Sequence, residues 1–200
     1  MKIPHLLEFI KILIFMQYSS NYFTAKELPT PTKDHSGVTK TIFTHISNLH
    51  GLLNDWDKLQ LKGKKICRSI SSIKLHEFQD NYYPHEVKVL VETLLEVVDG
   101  LHDVCAGIEL LDKQINSLSK LQPLDTPLMQ TWTASQISEN VSNLHDSLKQ
   151  EFHLKKTILE NIAHCRDENL METYTSAWEY NLYFEMDKFT YLFMEFGITI

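Results

Sequence analysis

From Val87 to Leu118 apolar residues return at alternating intervals of three and four: Val87, Leu90, Val91, Leu94, Val98, Leu101, Val104, Ile108, Leu111, Ile115 and Leu118. Held for more than four heptads, this rhythm is the seam of a coiled coil. No proline falls between Pro84 and Pro123 to interrupt it. Such a segment fits a long helix whose apolar edge must be covered by other helices. Pro84 suits a first turn, and Gln122-Pro123-Leu124-Asp125-Thr126-Pro127 stops the helix, so the spacing predicts one over 84–121.

Three further helical stretches supply that cover. The first runs over 41–75 on Ile42, Ile46, Leu49, Leu53, Trp56, Leu59, Ile66, Ile70 and Ile73. Lys62-Gly63-Lys64-Lys65 disturbs its rhythm, which predicts a kink or a second short helix there. A third covers 133–164 on Ile137, Val141, Leu144, Leu148, Phe152, Leu154, Ile158 and Ile162. The fourth starts near Asp167, an N-cap residue with Glu168 in the first turn, and becomes aromatic nearly all round after Trp178. The expectation is an all-α protein, an elongated helical bundle or coiled coil with long antiparallel helices. Residues 1–40 form an N-terminal extension and linker outside the folded unit, and 41–200 form the helical domain.

The chain of 200 residues is 43% hydrophobic, enough for a buried core. Its net charge of −7 speaks against a nucleic-acid module, which carries a basic face. Cys67, Cys105 and Cys165 are odd in number, far apart and in no CxxC pair, as expected of free thiols in a reducing compartment. Residues 3–16, IPHLLEFIKILIFM, imitate a signal peptide, but His5, Glu8 and Lys11 interrupt them, and the run is too short for a membrane helix. They are read as an N-terminal extension. Charge is also segregated: 58–74 carries Lys58, Lys62, Lys64, Lys65, Arg68 and Lys74 without an acid, while 77–112 is strongly acidic and has Lys88 as its single base. Either the two faces lie along each other, or both are solvated surfaces.

Catalytic signatures are missing. There is no glycine-rich phosphate loop, HExxH, GxSxG or cysteine-pair zinc pattern. His164 and Cys165 are neighbours, yet adjacent side chains on a helix diverge by about 100° and cannot share a proton well. Glu168 and Glu172 face alike at i and i+4, a pattern that belongs to solvated faces far more often than to cation sites. No catalytic, cofactor or metal residue is therefore expected, and the chain reads as a non-enzymatic interaction protein.

The series Pro127-Leu128, Thr131-Trp132, Glu151, Lys155-Lys156-Thr157, Ala163-His164, Asp167, Leu170, Tyr174, Ser176 and Trp178 resembles the cyclin-dependent kinase 2-interacting protein family in spacing as well as identity. Leu52-Leu53-Asn54-Asp55-Trp56 resembles the family's first helix more loosely. The resemblance covers roughly residues 41–196 and is strong over 127–183. It departs from the family at 1–24 and at Asn181-Leu182, where the family tends to have proline before the matching Tyr183. It marks Trp132, Lys155, Lys156, Thr157, His164, Asp167, Tyr174 and Trp178 as structural motif residues, with His164 in a turn and Asp167 capping the next helix.

The resemblance implies a nuclear adaptor, present in the cytoplasm as well in one reading. Its implied partners are cyclin-dependent and origin-firing kinases, a checkpoint kinase partner, AAA-type ATPases and a second small helical subunit. The implied setting is DNA replication, DNA-damage checkpoint signalling, replisome proteostasis and ribosome biogenesis, with no direct nucleic-acid or membrane binding. An alternative is a kinase-regulated substrate whose signal is Thr30, since Thr30-Pro31-Thr32-Lys33 fits the Ser/Thr-Pro-x-Lys/Arg pattern preferred by cyclin-dependent kinases. On a continuous helix over 174–196, Tyr174, Trp178 and Phe189 would share one stripe and Tyr180, Phe184 and Tyr191 another. The first stripe is expected to pack internally and the second to dock on a partner. A short strand at 189–194 is the alternative there.

Overall fold

The structure, a computed structural model, describes residues 37–76 and 85–199, all within one compact unit spanning 33–200. Thr30, Pro84 and the segment before residue 37 lie outside the described residues. The elements are α1 (Gly37–His76), α2 (His85–Ser119), α3 (Ala134–Ile162), α4 (Glu168–Glu179), a 3-10 turn (Met186–Phe189) and α5 (Thr190–Glu195). No strand occurs among the described residues, and an isolated bridge joins Pro127 to Thr133. The fold is all-α.

The long helices alternate in direction. Gly100 of α2 faces Leu59 of α1 and Gly107 faces Leu52, so seven residues forward on one helix are seven back on the other. Between α2 and α3, the His102 ring lies 5.6 Å from Phe152, and Ser142 donates to Asp112 at 2.6 Å, again antiparallel. The C-terminal ends of α1 and α3 meet where Lys74 Nζ donates to the carbonyls of Ile162, Ala163 and Cys165. Up, down and up, the three helices bury Ile46, Leu53 and Trp56 of α1, Leu94, Leu101 and Ile108 of α2, and Ile137, Val141 and Leu148 of α3. Burying each of these side chains stabilises the fold by roughly 1.5–3 kcal/mol before entropy is set against it.

After α3 the chain turns back along α1. Trp178 meets α1 at Gly63, Phe193 lies 5.5 Å from His50, and Phe196 lies 6.3 Å from Phe43. The start of α3 is held by a capping box: the Gln136 N–H donates to Thr133 Oγ1, and the Thr133 N–H donates to Gln136 Oε1 at 2.9 Å.

Several expectations need correction. Helix α1 is continuous from Gly37 to His76, with no second short helix beginning at Lys62–Lys65, and it starts inside the segment read as linker. The stretch 189–194 is helical and not a strand. The fourth helix does not run on to 196 but ends at Glu179, because Asn181 takes a positive φ of 39° that a right-handed helix cannot contain. The basic run of α1 makes no ion pair with α2 among the described residues; Lys64 and Arg68 reach Glu179 of α4 instead.

Candidate interaction surface

The last turn of α4 sits on a buried polar junction. Lys155 and Glu151, one turn apart on α3, are both fully buried and form an ion pair at 2.7 Å. Lys155 Nζ also donates to the Trp178 carbonyl at 2.7 Å and the Ala177 carbonyl at 3.3 Å, acceptors that the end of a helix leaves open. It lies 5.3 Å from the centre of the Trp178 ring, within cation–π range. Burial pulls the Lys155 amine below the usual lysine value, and the Glu151 carboxylate opposes that pull. From α1, Gln60 donates to the Trp178 carbonyl at 2.8 Å, and the indole N–H donates to the Gln60 carbonyl at 3.1 Å. Glu179 closes the outside through Lys64 at 2.8 Å and Arg68.

The junction also fixes the turn after α4. The second oxygen of Glu151 accepts the Tyr183 backbone N–H at 2.7 Å, so a buried carboxylate pins the chain there. Around the positive φ of Asn181 the turn presents Tyr180 (41% exposed), Leu182 (37%) and Tyr183 (50%) to solvent. Phe184 then plunges inward and stacks on Phe189, with ring centres 5.8 Å apart and planes within 10°. The result is a short, largely aromatic ridge whose backbone is tied to the buried Glu151 carboxylate. Such side chains lose little entropy on binding and serve as interface anchors.

The stripe of Tyr180, Phe184 and Tyr191 is therefore corrected. Phe184 is core at 3% exposure, and the other two lie on separate elements, Tyr180 after α4 and Tyr191 (71% exposed) on α5. Trp178 and Phe189 of the other stripe are buried, and Tyr174 is packed against the same core. Trp132 is half-buried, and its N–H donates to Glu195 Oε1 at 2.9 Å; the same carboxylate takes the Thr131 N–H and hydroxyl. Lys156 and Thr157 are exposed on α3, with the Thr157 hydroxyl donating to the His153 carbonyl. His164 is exposed in the α3–α4 turn, and its N–H donates to the Asn161 carbonyl. Asp167 caps α4 by accepting the Leu170 N–H at 3.0 Å. Among the described residues no cluster of His, Cys, Asp or Glu is arranged to hold a metal ion, and no helix is long and apolar enough to cross a membrane.

Sequence reasoning missed Gln60, Gly63, Glu195, Leu182 and Tyr183. The one available signal was Gly63: a glycine inside a helical pattern marks a packing demand as often as a break.

No protein-family model matches the chain. Its curated relatives are cyclin-dependent kinase 2-interacting proteins. That of Bos taurus is 27% identical over 147 residues, covering 70% of this chain and 68% of the relative. Those of Mus musculus and Homo sapiens are 26% and 27% identical over 186 residues, each covering 79% of this chain and 88% of the relative. The similarity thus extends through most of the helical unit and is not confined to one motif.

Proposed function

We propose that this chain, similar along most of its length to cyclin-dependent kinase 2-interacting proteins, is a non-catalytic helical adaptor that binds a protein kinase through the ridge of Tyr180, Leu182 and Tyr183. The observation that carries this reading is the pairing of exposed aromatics with a buried anchor. Tyr183 shows its ring to solvent while its backbone is held by Glu151. A surface kept in one shape before binding loses little on ordering. The names of the relatives, which are those of interacting proteins and not of enzymes, support the same reading. In its wider form, the adaptor works in the nucleus and links replication kinases and checkpoint signalling to an AAA-type ATPase complex in replisome proteostasis and ribosome biogenesis. That extension is supported by the motif resemblance.

The test is direct binding of the purified chain to a purified cyclin-dependent kinase 2–cyclin complex by biolayer interferometry. Tyr180→Ser with Tyr183→Ser should weaken binding by at least about tenfold, the loss of one interface hot spot, with an unchanged circular dichroism spectrum. Binding that survives the double substitution places the kinase surface elsewhere. The kinase-substrate alternative is separated by Thr30→Ala, which should leave adaptor binding intact.

A further inference from the structure

We propose that the outer faces of α1 and α2 form a self-complementary surface on which a second copy of this chain docks, lysines of one α1 against acids of the other α2. The middle of each charge run, Lys62 and Lys65 on α1 and the acids from Glu92 to Asp103 on α2, stays solvent-facing within one chain. Lys62, Lys65, Glu96 and Asp99 are exposed, and among the described residues none of them makes an ion pair. Among the described residues Glu92 and Asp103 meet only local partners, Lys88 at 3.9 Å and His102 at 3.7 Å, and remain 64% and 88% exposed.

The register makes the two runs complementary. Leu59 lies opposite Gly100, so Lys62 is level with Val97, in the middle of the acidic run from Glu92 to Asp103. At about 100° per residue, Lys62 and Lys65 lie on the solvent side of the α1–α2 seam, and so do Glu92, Glu96 and Asp103. A two-fold axis parallel to the helices, passing in front of this seam, sets α1 of each copy opposite α2 of the other. It keeps every residue at its own level. Each lysine run then faces an acidic run, twice, in one isologous interface.

A second observation comes from Gly51. It stands in the interior of α1 on the same outer side, exposed, with nothing within 4 Å of a Cβ built on it. Glycine there disfavours the helix, and no neighbour among the described residues requires it. By the same register Gly51 is level with Ile108, less than one helical turn from the level of Leu110, which is 56% exposed on the outer side of α2. In the two-fold pair Leu110 of the second copy meets the bare backbone at Gly51.

Sedimentation equilibrium of the full chain tests this. A monomer–dimer equilibrium is expected at low salt, weakened about tenfold at high salt, because the pairs are near the surface. Lys62→Glu with Lys65→Glu should abolish dimers, and so should Glu96→Lys with Asp103→Lys, each with an unchanged thermal midpoint. Mixing the two variants should restore dimers, because both halves of the mixed interface are again opposite in charge. Gly51→Gln should raise the thermal midpoint yet weaken the dimer. A monomer at every concentration and salt overturns the proposal, as does a mixture that stays monomeric or association indifferent to all three variants.

Discussion

The indole of Trp178 occupies the space in which a side chain on residue 63 would begin: a Cβ on Gly63 would lie 2.1 Å from its Cζ2. The glycine that disturbs the apolar rhythm of α1 is thus the floor of a niche. Within it, Trp178 and Gln60 exchange two hydrogen bonds across 118 residues of sequence.

Gly63→Ala should therefore destabilise the protein by about 1–3 kcal/mol, the range for overfilling a packed site. Gly51→Ala, where a methyl group meets open space, should instead stabilise it by about 0.5–1 kcal/mol. Urea unfolding of the two variants beside the wild type checks the opposite signs. Equal midpoints for Gly63→Ala and the wild type would show that the niche is not tight.

Lys155→Met leaves the Glu151 carboxylate buried without its partner and should cost about 3–5 kcal/mol. Glu151→Gln should cost less, since an amide oxygen still accepts the Tyr183 N–H. The double variant should be more stable than the sum of the two losses predicts, by about 1 kcal/mol or more in a double-mutant cycle. Additive losses would mean that the two groups act independently.

Burial pushes the thiols of Cys67 and Cys105 up to about 12, so neither is a thiolate at neutral or mildly alkaline pH. In native protein at about pH 8, where an unfolded cysteine is near its ordinary value, both should resist maleimide alkylation and react on unfolding in urea. Peptide mass mapping distinguishes them, and rapid native labelling at Cys67 would contradict its full burial on α1.

Burial raises the Glu179 carboxyl, but Lys64 and Arg68 outweigh it, and the net shift is downward from 4.5. A lowered folded value means stability fully present above the unfolded value and lost as pH falls through the folded one. At neutral pH, Glu179→Gln should lower stability by about 1 kcal/mol, a modest figure because Arg68 is more than half exposed. The gap between variant and wild type should narrow as pH falls below the ordinary glutamate range and the folded carboxyl takes up its proton. Thermal melts across that range test this, and a gap independent of pH would assign the effect to packing.

Glu195 joins α5 to the loop before α3 by taking the N–H groups of Thr131 and Trp132. Glu195→Ala should destabilise by about 1–3 kcal/mol through the donors left unpaired. It should also speed hydrogen exchange at those two amides more than at mid-helix α2. Uniform acceleration would show that the latch has no local role.

Much of the helix framework was legible from residue spacing. The seam from Val87 to Ile115 predicts α2, since a period near 3.5 is a property of the chain taken alone. Thr133 and Asp167 mark helix starts because their caps act within three residues. Beyond Trp178 such reasoning failed: the aromatics read as a continuous helix, whereas Asn181 turns the chain and sends Phe184 inward. Local propensity does not record which side of a turn will find a core to enter.

The sequence by itself determined the long helices, which of their edges are apolar, and that a basic run on α1 and an acidic run on α2 are kept apart. Only the tertiary structure decided that Lys155, by sequence one of two equivalent lysines beside Lys156, is buried with Glu151, while Lys156 stays in water. It also decided that Gly63 makes room for an indole and that Tyr180, Leu182 and Tyr183 form the exposed ridge. The reason is distance along the chain. A helix is set by groups three or four residues apart, whereas a buried charge, a niche and a pinned turn depend on partners tens of residues away, which meet only once the helices have packed.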